Sequence, residues 1–118
     1  MYDYYNANPL GLYEDDCVIR AISCATGRSW DNVYDELSDL AQAKGTLLDK
    51  KPFVRWYLDT HFERINDLPN KVYEVAKMFK NNIVICSSNS HICCIKFGRI
   101  LDTFDSSNLS VENVWLVC

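Results

Sequence analysis

Apolar residues along this chain recur with a helical period through most of its length and switch to a strand period near Asn81. Asp15 or Asp16 can cap a first helix, in which Val18, Ala21, Ile22 and Ala25 follow the i, i+3, i+4, i+7 rule until Gly27 stops it. Ser29 caps a second, with Trp30, Val33, Tyr34, Leu37, Leu40 and Ala41 on one face and Asp31, Asp35, Glu36 and Asp39 mostly on the other, ending near Gly45. Asp49 is the expected cap of a third helix over 50–60, with Pro52 in its first turn and Phe53, Trp56 and Tyr57 clustered. Asn70 opens a fourth, with Val72, Val75, Ala76 and Phe79 inward, and 61–65 reads as a short edge strand between the two.

Beyond Asn81 the spacing predicts strands at 83–86, 91–96, 99–104 and 113–117, with a polar turn at 87–90 and a hairpin at Gly98. Residues 1–13 show no sustained period and are expected to be ordered coil. Helices followed by antiparallel strands define an α+β domain, here one domain over 1–118 with a sheet of about four strands.

Composition narrows the function. At 118 residues and 48% hydrophobic, the chain is long and apolar enough to bury a core without staples. A net charge of -4, with no basic cluster beyond Lys50-Lys51, argues against nucleic-acid binding. There is no membrane-spanning run, and Met1-Tyr2-Asp3-Tyr4-Tyr5 lacks the pattern of an export signal, so a cytoplasmic location is expected. The six cysteines sit mostly in apolar runs and read as reduced thiols. None has Cys-x-x-Cys spacing, so neither metal nor cofactor is expected.

The candidate chemistry starts at Cys17. A thiol in the first turn of a helix meets unpaired N–H groups and the positive end of the macrodipole, which favour the thiolate. Glu14, Asp15 and Asp16 beside it work in the opposite direction, unless they are solvated caps or bind a basic substrate. His91, at the head of a strand after a polar turn, is placed to act as base, with Cys93, Ile95 and Phe97 on its face. Two acids on the return strand are candidates to orient the imidazole. A two-residue turn near Gly98 brings 104–106 back opposite His91, which favours Asp105; Asp102 shares the His91 face but lies further along, and a one-residue slip exchanges them. Arg20, one turn beyond Cys17, is a natural ion-pair partner for Asp102 or Asp105. His61 reads as structural or exposed.

Asp16-Cys17-Val18-Ile19-Arg20-Ala21-Ile22, Ser29-Trp30-Asp31-Asn32-Val33-Tyr34, and His91 with Asp102-Thr103-Phe104-Asp105-Ser106-Ser107 resemble a family of small uncharacterised proteins from phages and Firmicutes. These are similar in layout to papain-like cysteine peptidases, with nucleophile, imidazole and orienting residue in the same order. The resemblance implies a papain-like fold and a Cys17–His91–Asp105 or Asp102 triad, acting as a peptidase or isopeptidase on an amide or thioester, in host-cell cytoplasm if phage-encoded. Papain-like enzymes carry a Gln shortly before the nucleophile to bind the oxyanion; Leu10, Gly11 and Leu12 stand there, and Asn8 is the nearest amide. The alternative is an inactive papain-like scaffold that binds a host protein.

Overall fold

The computed structural model describes residues 1–12 and 16–118. Ten elements follow in order: β1 (Tyr2–Tyr4), α1 (Cys17–Thr26), α2 (Trp30–Lys44), α3 (Lys51–His61), β2 (Glu63–Arg64), α4 (Val72–Met78), β3 (Ile83–Ser87), β4 (Ile92–Lys96), β5 (Arg99–Asp102) and β6 (Asn113–Leu116). Among the described residues, no helix is long and apolar enough to cross a membrane.

The helix ends obey local chemistry. Ser29 Oγ accepts from the Asn32 N–H at the start of α2, and Gly27 and Gly45 close α1 and α2 in the left-handed conformation that glycine adopts without strain. Three expected helix starts differ, one being α4, which Lys71 rather than Asn70 precedes. Asp16 occupies the N-cap position of α1 without capping through its side chain, and Lys50 rather than Asp49 precedes α3; Asp15 lies outside the described residues.

The sheet departs further from expectation. It has six strands in the order β1-β5-β4-β3-β6-β2 and is mixed, because β1 pairs parallel to β5, Tyr2 opposite Ile100 and Tyr4 opposite Asp102. The expected coil at the N-terminus is thus partly strand. The coil reading failed because this strand is three residues long and is held by a partner about a hundred positions away.

Side-chain alternation sorts the strands into two cores. Ile85, Ile92, Cys94 and Trp115 pack with α1, α2 and α3, whereas Val84, Cys86, Cys93, Ile95, Ile100 and Val114 pack with α4. Helix α1 lies across β4 and β3 with Ile22 fully buried, so truncating Ile22 to alanine would cost roughly 2–5 kcal/mol. Trp56 stands partly outside the core, with Lys44 Nζ 4.0 Å above its ring. The Trp30 and Tyr34 rings of α2 stack on one another at 5.2 Å, with Tyr34 exposed.

Candidate active site

The packing of α1 across β4 carries the start of the helix to the end of the sheet where β4 begins and β5 finishes. Cys17 is the first residue of α1 and half-buried; His91 immediately precedes β4; Asp102 is the last residue of β5. The β4–β5 hairpin turns on two residues, Phe97 and Gly98, both with positive φ (52° and 79°), as a tight turn matching strand twist demands. Cys94 pairs with Leu101, so continuing the register sets Asp102 beside Cys93 and Phe104 beside His91. Asp102 is therefore a diagonal neighbour of His91 on the same side of the hairpin.

The geometry follows from that register. His91 Nε2 donates to Asp102 Oδ2 at 2.6 Å, and the Cys17 side chain lies near enough to the same ring to help raise its pKa. With Nε2 committed to Asp102, Nδ1 is the nitrogen left for the thiol. The Phe104 ring leans on the imidazole with centroids 4.7 Å apart.

Asp102 is fully buried and saturated. Oδ2 also accepts from Ser106 Oγ at 2.8 Å; Oδ1 accepts from the Thr103 N–H at 2.8 Å and from Arg20 Nη2 at 3.1 Å. Its peptide oxygen takes the Tyr5 N–H at 2.8 Å and the Tyr2 hydroxyl at 3.2 Å. Burial alone pushes this carboxyl up, but the bonds from His91, Ser106 and Thr103 hold it below the usual carboxylate range. Burial likewise pulls the His91 imidazole down, and here the Asp102 bond and the neighbouring Cys17 prevail, so that it is pushed up to about 9. The ring is therefore favoured as imidazolium at neutral pH.

Asp105 behaves differently from expectation. It is exposed, its Oδ1 accepts the Ser107 N–H at 3.0 Å, and His91 bonds Asp102 instead. The chain leaves the strand after Asp102, so what returns opposite His91 is the Phe104 ring rather than a carboxylate. Asn8 is also elsewhere: its Oδ1 accepts the Leu10 N–H at 2.8 Å in a local turn, and it does not line the cleft at Cys17. Asp16, expected among the carboxylates that oppose a thiolate, is buried and engaged by Arg20 Nη1 on Oδ1 and by Trp30 Nε1 on Oδ2 at 2.8 Å. Glu14 and Asp15 fall outside the described residues. His61 is exposed, its Nδ1 2.9 Å from the Tyr57 carbonyl oxygen.

Two participants were missed in the sequence. Ser106 falls within a Ser-rich turn that looks like a generic loop, and Trp30 looks like an ordinary residue of an apolar helix face. The Arg20–Asp16 spacing of four was a visible signal, since residues so placed are helix neighbours.

Cys17 and His91 open onto a cleft of about 820 Å³. Its floor includes Val18, Val54, Ile92 and Trp115; its rim carries Ser88, Asn89 and Ser90 of the β3–β4 turn, with the Lys51–Glu112 ion pair (3.0 Å) further along. An apolar trough with a few polar groups beside a perturbed imidazole is the usual form of a small-ligand or peptide site. Among the described residues, no three His, Cys, Asp or Glu side chains cluster as metal ligands would.

Comparison of the chain with protein-family models, with curated proteins and with solved structures finds no match.

Proposed function

We propose that this protein is a cysteine-nucleophile hydrolase, acting on an amide or thioester carbonyl in a peptide or protein, with Cys17 as nucleophile, His91 as acid and base, and Asp102 as the residue that orients the imidazole. The observation that carries this reading is His91 held between a saturated, buried Asp102 on one side and Cys17 on the other, at the head of an open cleft. Three groups from three separate elements converge there, which a cysteine serving only as core would not require.

In this mechanism the proton of the Cys17 thiol already rests on His91 Nδ1, and the Cys17 thiolate sulfur bonds to the substrate carbonyl carbon, leaving an oxyanion. The first N–H groups of α1 have no intrahelical acceptor and favour negative charge there. Collapse of the oxyanion breaks the C–N bond, and His91 returns its proton to the departing amine. Water then adds to the thioester as His91 removes its proton; the C–S bond breaks, releasing the acid and restoring the thiol.

The test is alkylation by iodoacetamide, followed residue by residue by mass spectrometry on the folded protein. Cys118, exposed, is the internal standard. Cys17 should react roughly tenfold faster than Cys118 at pH 7 and fall to its level in His91→Ala. Equal rates in the unaltered protein would refute the reading. The papain-like resemblance adds an expectation of peptide or isopeptide substrates.

The second reading, a non-catalytic papain-like scaffold that binds a host protein, draws support from Asn8, the amide expected at the oxyanion, lying away from the cleft. It predicts an inert Cys17.

A further inference from the structure

Beside Cys17 and Asp102 stands Arg20, which lines the same cleft. Arg20 is buried, one turn into α1, and its guanidinium forks: Nη1 binds the Asp16 carboxylate and Nη2 binds Asp102 Oδ1 at 3.1 Å. Asp16 is the residue immediately before the nucleophile and is pinned from its other oxygen by Trp30 Nε1 on α2. Asp102 is the residue bonded to the imidazole. One guanidinium therefore ties the start of the nucleophile's helix to the strand end that holds the base, an arrangement only a planar, two-pronged cation makes.

We propose that Arg20 is a positioning residue for the Cys17–His91 pair, fixing the alignment of thiol and imidazole by gripping Asp16 and Asp102 together, and keeping Asp102 charged when His91 is neutral. Asp102 answers to two cations. While His91 carries a proton, Asp102 is paired twice; when His91 gives that proton up, Arg20 still compensates the buried carboxylate, so the acid does not have to take a proton itself. The titratable groups facing the cluster are Asp16 and Cys17 at the start of α1, Cys93 of β4, His91, Asp102, and Tyr2 and Tyr5 from the N-terminal segment. Arg20 adds a guanidinium to this set, a cation that does not come from the proton His91 exchanges.

The inference rests on the hydrolase reading, and the two fail differently. An inert Cys17 in the unaltered protein ends both, whereas a reactive Cys17 that ignores Arg20 ends only this one. The experiment combines Cys17 alkylation rates with a proton-NMR titration of His91 in Arg20→Gln, Arg20→Lys and Asp16→Asn, each checked for folding by circular dichroism. In Arg20→Gln the alkylation rate should fall roughly tenfold to a hundredfold from misalignment, and His91 should titrate at higher pH because Asp102 has lost its competing cation. Arg20→Lys restores the charge but not the fork, so the His91 titration should return towards that of the unaltered protein while the rate stays low. Asp16→Asn should slow alkylation and leave the His91 titration in place. Should Arg20→Gln not fold, the other two variants decide. Folded variants that keep the unaltered rate overturn the proposal.

Discussion

Helix α1 carries two cysteines two turns apart on one face, and their surroundings could hardly differ more. At its first residue, Cys17 meets a protonatable ring, a buried carboxylate beyond it, and open cleft. At Cys24 the helix has passed fully onto the sheet; the thiol is buried beside Cys94 of β4, and their interaction draws Cys24 down and, with burial, pushes Cys94 well up. The lesson is that helix, face and residue type leave a cysteine's chemistry undecided. What decides it is whether the neighbouring element brings a proton acceptor or more hydrocarbon.

The largest expected effect separating the two ends is on stability. Asp102→Ala should destabilise by roughly 3–5 kcal/mol, because it leaves the buried Arg20 guanidinium with Asp16 as its one carboxylate and removes the His91 partner. Asp105→Ala, three residues on and fully exposed, should leave the urea midpoint nearly unchanged. Equal effects would break the claim that the network is specific to Asp102. Next comes reactivity: Asp102→Asn, which keeps the shape, should lower the Cys17 alkylation rate roughly tenfold or more while leaving Cys118 alone.

A pH experiment sharpens the contrast. The His91 imidazole rises from about 6.5 when unfolded to about 9 in the fold, so its charged form contributes stability that is fully present below pH 6.5 and lost as the pH climbs through 9. Unfolding free energy should decline by roughly 3 kcal/mol across that window, and His91→Gln should flatten the decline. Asp102, held low, acts at the other extreme: its contribution is present above about pH 4 and is lost on further acidification. The smallest effect belongs to the apolar end. Cys24→Ala should cost about 1 kcal/mol and leave the Cys17 rate unaltered, and a changed rate would mean that the two ends of the helix are coupled.

Much of this was readable from local chemistry. Gly27, Ser29 and Gly45 mark helix ends by rules that act within a few residues, and the change of period at Asn81 separates helices from sheet. The site was harder. His91 and both aspartates were visible, but choosing between Asp102 and Asp105 required knowing where β5 ends. A pure register argument brings 104–106 back opposite His91 and so favours the later acid; the chain delivers the Phe104 ring there and sends the carboxylate diagonally from Asp102. Proximity in sequence to Cys17 points to Asn8, but its own turn with Leu10 leaves it outside the cleft lining. Strand β1 was invisible because its partner is far along the chain.

That strand ties the head of the chain to its chemistry. Tyr2–Tyr4 covers the outer edge of β5, and the next residue gives its N–H to the Asp102 carbonyl. Clipping the first five residues would bare a sheet edge able to recruit a neighbouring molecule, and would loosen the strand from which the orienting carboxylate projects. A protease that nicked this tail would therefore slacken the hold on Asp102 from a strand that none of the helices touches in sequence.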